Sequence, residues 1–138
     1  MRGLNRITLM GNLTRDPEIK QTATGIAVAR IGIATSRRWK DDSGETKEDV
    51  QFHTVIAWSN LAQLAVKYLK TGSPAYIEGR MTYRKYKTLN GVEKMIPEII
   101  ASEIIFLPTK GDKQIISTDE VNEGVDEIDE VFGIKKPE

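Results

Sequence analysis

The sequence predicts an all-β fold with one helix. Five apolar segments have the period-two alternation or the β-branched composition of strands, and turn-forming residues separate them. One further segment carries its apolar residues at helical spacing, between the third and fourth strand segments. Five strands with one helix favour a closed barrel, because a sandwich would need about seven strands.

The predicted strands are recognised from alternation and composition. Residues 7–13 alternate apolar with polar side chains, which is typical of a half-buried strand. The other four segments are rich in β-branched, aromatic or small apolar residues. They are residues 26–34, 50–58, 76–83 and 96–106.

Turn signals separate these strands. Asp16-Pro17 ends the first, and Thr24-Gly25 introduces the second. The polar run 41–45 indicates a hairpin tip between the second and third strands. Asn90-Gly91 predicts a second, long hairpin between the fourth and fifth strands, because both residues tolerate positive φ.

The predicted helix has apolar residues spaced i, i+3, i+4, i+7 and i+8. They are Leu61, Leu64, Ala65, Tyr68 and Leu69. Asn60 and Gln63 resemble a capping box at its start, and Gly72 followed by Pro74 ends it. The order β-β-β-α-β-β is that of a five-stranded Greek-key barrel of the OB type, whereas a cold-shock barrel lacks the helix.

Length and composition indicate one domain with a short appendage. We expect the barrel to occupy residues 1–108 and an acidic, disordered tail to occupy residues 109–138, the alternative being a short solvated helix. The chain has no Cys, which excludes disulfides and thiolate metal sites. Neither a secretory signal nor a membrane span is evident, so we expect a cytoplasmic protein.

The formal net charge of zero conceals a strong asymmetry. Residues 1–110 carry 17 basic and 11 acidic residues, a net charge of +6. Residues 111–138 carry 3 basic and 9 acidic residues, a net charge of −6. A basic body with an acidic tail favours a nucleic-acid partner for the body.

Two short runs combine cations with an aromatic residue. They are Arg37-Arg38-Trp39-Lys40 and Arg84-Lys85-Tyr86-Lys87. Cations bind phosphates and an aromatic face stacks on an unpaired base, so the combination suits a single strand and not a closed duplex. The alternative is that both runs are solvated loop tips.

Strand alternation sorts the neighbouring side chains into two faces. On the third predicted strand, Phe52 and Trp58 share one face, while Val55 and Ala57 share the face that fits a barrel interior. On the fourth strand and its extension into the hairpin, one face carries Arg80, Thr82, Arg84 and Tyr86. From alternation alone, Phe52 and Trp58 fit a core, a subunit interface or a ligand-binding surface.

No residue pattern indicates catalysis, a cofactor or a metal. His53 is the only histidine, without partners for a multi-His metal site or a catalytic triad. The acidic pairs Asp41-Asp42 and Glu48-Asp49 flank a turn and are interpreted as solvated. Phosphate-cradling loops of the Walker or dinucleotide type are absent from the sequence. We expect a binding protein and not an enzyme.

Several short stretches of the chain match the sequences of one known protein family in the same order and spacing, and they are spread across residues 2–106. They are Gly3-Leu4-Asn5-Arg6-Ile7, Gly11-Asn12-Leu13, Asp16-Pro17-Glu18, Ala34-Thr35-Ser36, Phe52-His53, Lys67-Tyr68-Leu69-Lys70-Thr71-Gly72-Ser73 and Tyr76-Ile77-Glu78-Gly79. In these stretches the chain resembles the bacterial single-stranded DNA-binding proteins.

The resemblance implies an OB fold, a homotetramer, and sequence-nonspecific binding of single-stranded DNA in replication, recombination and repair, in the cytoplasm at the nucleoid. It implies base stacking at Trp39, Phe52, Trp58 and Tyr86. Phe52 and Tyr86 stand where the family commonly has Trp, and Trp58 stands where it has Phe. Stacking needs only a π face, so these exchanges preserve the function.

The resemblance also implies phosphate contacts. The matching positions are Arg2, Arg6, Lys47, Lys70, Arg84 and Lys85. The two basic–aromatic runs add Arg37, Arg38, Lys40 and Lys87. Thr82 stands where the family often has Arg, and Arg80 supplies a charge on the same face.

The acidic tail departs from the family pattern. The family ends in acidic residues followed by Pro-Phe and a terminal carboxylate that docks replication and repair proteins. The matching tip here is Asp129, Glu130, Val131 and Phe132. Residues 133–138 follow it, so a pocket that grips a carboxylate beside Phe would lose that contact. An acidic segment can still compete with DNA for a basic groove.

Three other functions fit parts of the pattern. A primosome-type OB adaptor would lack some of the stacking positions. A cold-shock RNA chaperone would have aromatic-rich strand motifs that this sequence lacks. A nuclease would need clustered carboxylates for a metal, and digestion of a labelled single strand with Mg²⁺ would reveal it.

Deletion of residues 111–138 is expected to leave affinity for oligo-dT unchanged or raised, because it removes a net charge of −6. Titration of a labelled oligo-dT with both proteins measures the difference. A large loss of affinity would mean that the tail forms part of the DNA-binding surface.

Overall fold

The computed structural model describes residues 1–107, so the predicted tail lies outside the described residues. Six strands and one helix occupy this range. In chain order they are β1 (Ile7–Leu13), β2 (Glu18–Gln21), β3 (Ala27–Lys40), β4 (Thr46–Trp58), α1 (Asn60–Tyr68), β5 (Pro74–Lys87) and β6 (Glu93–Phe106).

The strands form one sheet that closes on itself. Its order is β1-β5-β6-β4-β3-β2, and β1 also pairs with β3 through Asn12–Ala34 and Leu13–Ile33. The β4–β6 pairing is parallel and all others are antiparallel. Five long strands closed in this way, with the helix between the third and fourth of them, confirm the predicted OB-type barrel.

The short strand β2 was not predicted. It pairs antiparallel with the start of β3, from Glu18 opposite Arg30 to Gln21 opposite Ala27. All four of its residues are exposed. Because neither face is buried, the strand has no alternation of apolar and polar residues by which it could be recognised.

Four strands run beyond the lengths predicted from their apolar segments. Strand β3 continues to Lys40 and β4 begins at Thr46, while β5 continues to Lys87 and β6 begins at Glu93. The added residues form two antiparallel ribbons that project past the buried core, and most of them are exposed. Their polar sequence resembles a loop because the ribbons have no buried face.

Three hairpin tips share one geometry. In loops 22–26, 41–45 and 88–92 the first residue donates its N–H to the carbonyl of the fifth. The fourth residue is Gly25, Gly44 or Gly91, with φ between 80° and 85°, a conformation that glycine adopts without steric cost. The side chain of the first residue also accepts the N–H of the fifth. Both predicted hairpin tips, 41–45 and Asn90-Gly91, are confirmed.

The core lies inside the barrel and under α1. It consists of the inward-facing residues of each long strand and the buried face of the helix. They include Leu13, Ala29, Ile31, Ile33, Val55, Ala57, Leu64, Ala65, Ile77, Ile99, Ile104 and Phe106. The inward positions of Val55 and Ala57 confirm the face assigned to them from alternation.

A β-bulge reverses the alternation of β6. Glu78 lies opposite Glu103 and Gly79 opposite Ala101, so Ser102 is an extra residue on β6. Ile99 and Ala101 are buried before it, and Ile104 and Phe106 after it. The bulge thus bends β6 so that both halves of the strand contribute to the closed core.

The helix begins differently from the prediction. Asn60 is its first residue and not its cap, and Ser59 precedes it without a side-chain capping bond. The predicted capping box is therefore wrong: the Oδ1 of Asn60 and the Oε1 of Gln63 are buried and accept no hydrogen bond from the described residues. Because β4 continues to Trp58, the chain has one residue, Ser59, in which to turn into the helix.

Replacement of Ser59 by Gly is expected to stabilise the fold. Ser59 has φ 56° and ψ −121°, a conformation strained for any residue with a Cβ. Glycine relieves that strain but also increases the entropy of the unfolded chain. The net gain in the free energy of unfolding is about 1 kcal/mol. Urea denaturation measures it, with Ser59→Ala as the control that keeps the strain. A Ser59→Gly protein no more stable than Ser59→Ala would contradict this account.

Candidate nucleic-acid interface

One broad surface is formed by the outward-facing residues of the sheet. Register places Arg30 of β3 beside Ile56 of β4, Ile56 beside Ile100 of β6, and Ile100 beside Arg80 of β5. This row across four strands defines the outer face. A groove of about 340 Å³ lies on it. Its lining residues are Glu18, Lys20, Val28, Arg30, Ile56, Trp58, Arg84, Glu98 and Ile100.

Phe52 and Trp58 both lie on the outer face of β4. Phe52 is 75% exposed and Trp58 42% exposed, although both are large and apolar. Trp58 forms part of the groove wall. Their exposure excludes a position in the core for both residues. The two alternatives that remain are a ligand-binding surface and a subunit interface.

Tyr86 and two arginines share the outer face of β5, as alternation predicted. Arg80, Arg84 and Tyr86 lie opposite Ile100, Ile96 and Lys94 of β6, respectively. Tyr86 is 38% exposed, on the part of the β5–β6 ribbon that projects beyond the core. Arg84 and Tyr86 of the second basic–aromatic run therefore continue the same surface as the groove.

Trp39 lies on the opposite side of its ribbon from Phe52. Phe52 lies opposite Ala34 of β3, so these two side chains share a face of the ribbon. Trp39 and Ala34 are an odd number of residues apart on β3, and successive side chains of a strand alternate between faces. Trp39 therefore lies on the other face. The guanidinium of Arg37 lies 4.7 Å from the Trp39 ring centroid, a cation–π contact. The structure thus groups Phe52, Trp58 and Tyr86, and places Trp39 around the edge of the β3–β4 ribbon.

The predicted phosphate-binding residues are distributed over several places. Arg38 and Lys40 lie on the β3–β4 ribbon, where Arg38 forms an ion pair of 3.6 Å with Glu48. Lys85 and Lys87 lie on the face of β5 opposite Tyr86, by alternation. Lys70 lies in the loop after α1, outside the groove lining.

One of the two N-terminal arginines, Arg6, lines a second concave site. Arg2 and Arg6 are exposed in the segment before β1. Arg6 and Arg80 line a site of about 320 Å³ beside the Ser102 bulge. Asn5 fixes this segment to β5, because its side chain donates to the Met81 carbonyl at 2.7 Å and accepts the Met81 N–H at 2.9 Å.

Lys47 is held by carboxylates of the hairpin tip. Its Nζ lies 3.4 Å from Glu45 and 3.8 Å from Asp41. The Ser43 hydroxyl, together with backbone N–H groups of the same loop, lowers the pKa of Asp41 below its ordinary value. Asp41 therefore stays charged as the pH falls below the usual range for aspartate.

Two groove residues, Arg30 and Glu98, were not identified from the sequence. Glu98 is the one charged residue that is buried among residues 1–107, and it contacts Arg84 and Arg30. Alternation did carry a signal for Arg30, since Ala27, Ala29 and Ile31 fill the core and leave the intervening positions facing outward. The Glu98 contacts join three separate strands, which no local pattern reveals.

His53 makes a local contact. Its Nε2 lies 2.8 Å from the Thr35 hydroxyl on the neighbouring strand β3. Within residues 1–107, no group of three or more His, Cys, Asp and Glu side chains is placed to hold a metal ion. None of the helices described is long and apolar enough to span a membrane.

A family model identifies residues 4–107. It is described as the "Single-strand binding protein family". The chain belongs to this family. Its match covers every strand and the helix, including the outer face described above.

Two curated relatives are similar to the chain, each over 111 residues at 39% identity. Both are named "Single-stranded DNA-binding protein", from Xanthomonas campestris pv. campestris and Xanthomonas axonopodis pv. citri. The matches cover 80% of this chain but only 64% and 62% of these relatives, so the chain spans less than two thirds of their length.

A solved structure is also similar, entitled "Plasmodium falciparum SSB complex with ssDNA". The TM-score is 0.72 at 34% identity, and the match covers 78% of this chain and 98% of that one. That solved structure therefore shares the fold over most of this chain.

Proposed function

We propose that this protein binds single-stranded DNA without sequence preference and protects it during replication, recombination and repair. The observation that carries the proposal is the outer face of the sheet, where Phe52, Trp58 and Tyr86 are exposed among cations. The family and the titles of its relatives support the same ligand.

Electrostatic attraction brings the strand to this face. The described body is basic, and arginines lie at the groove and along β5. Each phosphate that a cation neutralises releases condensed counterions, so binding is favourable at low salt and weakens as salt increases. Arg80 and Arg6 supply such contacts at one end, and Arg84 supplies one at the groove.

Stacking on aromatic side chains adds the second term. A base stacked on an aromatic ring contributes about 1–3 kcal/mol, whatever its identity, because every base has a π face. Phe52, Trp58 and Tyr86 offer such rings on one face of the sheet. A duplex keeps its bases stacked internally, so the protein selects single strands.

A DNA strand that contacts Trp39 as well as Phe52 must cross from one face of the β3–β4 ribbon to the other. Because Trp39 lies on the opposite face of the β3–β4 ribbon from Phe52, a strand that contacts both passes around the ribbon. Arg37, Arg38, Lys40 and Lys47 lie along that ribbon and supply phosphate contacts for such a path. Lys85 and Lys87 serve the same purpose on the β5–β6 ribbon.

The protein acts by binding alone, without covalent chemistry, at DNA in the cytoplasm. Replication and repair proteins dock on the acidic tail, in competition with its binding to the basic groove. The residues concerned, Asp129, Glu130, Val131 and Phe132, lie outside the described residues.

The chain assembles as a homotetramer. Two features support this: an open strand edge and an exposed apolar side chain beside it. Strand β1 pairs with β5 along Ile7–Asn12, but with β3 only at Asn12 and Leu13, so most of its other edge is unpaired among the described residues. Met10 on this strand is 66% exposed. A second copy of the chain would cover both.

Replacement of Tyr86 by Ala is expected to weaken binding to oligo-dT by about fivefold to a hundredfold, the equivalent of one stacked base. Tyr83→Ala is the matched control, since Tyr83 is an exposed tyrosine on the opposite face of the same strand. Fluorescence anisotropy of a labelled oligo-dT measures both affinities. Equal losses in the two variants would contradict the assignment of the outer face as the stacking surface.

Light scattering coupled to gel filtration is expected to give a mass of four chains, or about 62 kDa from the chain mass of 15.5 kDa. Met10→Lys should shift the protein to smaller species, because it places a charge in the proposed contact. Leu89→Lys, at an exposed hairpin tip, is the control and should keep the mass. A monomeric native protein would contradict the proposed assembly.

A further inference from the structure

The groove contains an acidic residue where DNA binding would favour none. Glu98 lies on the outer face of β6, and its side chain is only 6% exposed. A carboxylate at this place repels the phosphates of a bound strand. The other acidic residue of the groove, Glu18, is exposed, so the burial of Glu98 among arginines and apolar side chains has a separate physical reason.

Glu98 contacts one arginine with each carboxylate oxygen. The Nε of Arg84 donates to its Oε1 at 3.0 Å, and the terminal Nη2 of Arg30 lies 3.5 Å from its Oε2. Arg84 belongs to β5 and Arg30 to β3, on opposite sides of β6 and β4 in the sheet order. One carboxylate thus draws together two cations that their own strands hold apart.

The two arginines remain accessible while they are held. Their side chains are 50% and 41% exposed, against 6% for the carboxylate between them. A guanidinium has five N–H donors, and each contact with Glu98 uses only part of that set. The remaining donors are available to a phosphate, and the three charges sum to +1.

We propose that Arg30 and Arg84 form a phosphate-binding pair for the DNA strand, and that Glu98 is the positioning residue that holds them. The inference rests on the proposed function. A long arginine side chain loses much rotamer freedom when it binds a phosphate. Glu98 restricts both side chains before the strand arrives, so this acid increases affinity despite its charge.

The sign of the change in DNA affinity distinguishes a positioning role of Glu98 from simple charge repulsion. Glu18, on β2, lines the same groove and lies opposite Arg30 in register. It is exposed and forms no ion pair with either arginine among the described residues. Glu18→Gln and Glu98→Gln therefore each remove one negative charge from the groove, but only the second releases the arginines.

Anisotropy titrations of the full chain with labelled oligo-dT, over a range of salt concentrations, test the proposal. Glu98→Gln is expected to weaken binding by roughly three- to tenfold, as expected when charge-assisted contacts are loosened. The slope of log K against log salt should become less steep by roughly 0.7, which corresponds to the loss of one phosphate contact on a single strand. Glu18→Gln should bind more tightly than the native protein, because it removes a negative charge from the groove and leaves both arginines held.

Two further variants keep the test independent of folding. Lys retains the charge of Arg but lacks the planar fork that Glu98 orients. Arg30→Lys/Arg84→Lys is expected to weaken binding, and Glu98→Gln added to it should cause no further loss. Thermal unfolding identifies any variant that fails to fold, and the Lys variant alone then decides.

Tighter binding by Glu98→Gln, like that of Glu18→Gln, would overturn the inference. An Arg30→Lys/Arg84→Lys protein with native affinity would overturn it too, as would a Glu98→Gln loss that persists in that background. Failure of the native protein to bind oligo-dT at low salt would instead overturn the proposed function.

Discussion

Closure of the barrel depends on two places where backbones meet without an intervening side chain. A Cβ on Gly11 would collide with the Ala34 carbonyl, and one on Gly79 with the Ile100 carbonyl. The first contact lies at the β1–β3 junction that closes the sheet, and the second lies beside the bulge in β6. Closure in turn decides which face of every strand is core. The outward-facing residues of β3, β4, β5 and β6, which form the candidate interface, follow from that choice by alternation alone.

The candidate interface continues along strands that extend beyond the core. Within the barrel each strand has one buried face, so its outward residues are held by a rigid frame. Beyond it the β3–β4 and β5–β6 ribbons have two exposed faces, and there the basic–aromatic runs lie. Hairpin tips with a glycine at the same position fix the register of both ribbons. The candidate interface thus consists of a stiff groove floor and two projecting ribbons, with aromatic and cationic groups on both.

Much of the fold follows from local patterns. Alternation in the first strand and β-branched or apolar composition in the other four located the long strands, because each buries one face. Alternation also correctly assigned Val55 and Ala57 to the interior. Strand β2 and the ribbon ends were missed since they bury neither face. The helix start was misplaced because Asn60 and Gln63 fit a capping sequence, while the position of Ser59 is decided by where β4 ends. The Arg30–Glu98–Arg84 cluster depends on contacts among three strands, and only the folded sheet brings them together.

We propose that the exposed aromatics and cations of the outer face and its ribbons bind single-stranded DNA by stacking and charge. The chain has two tryptophans, Trp58 in the groove and Trp39 on the β3–β4 ribbon, so intrinsic fluorescence reports directly on this surface. Titration with oligo-dT at low salt is the most direct test. We expect strong quenching of tryptophan emission that reaches saturation and is reversed by added salt. Unchanged emission, under conditions where the labelled strand is demonstrably bound, would contradict the account.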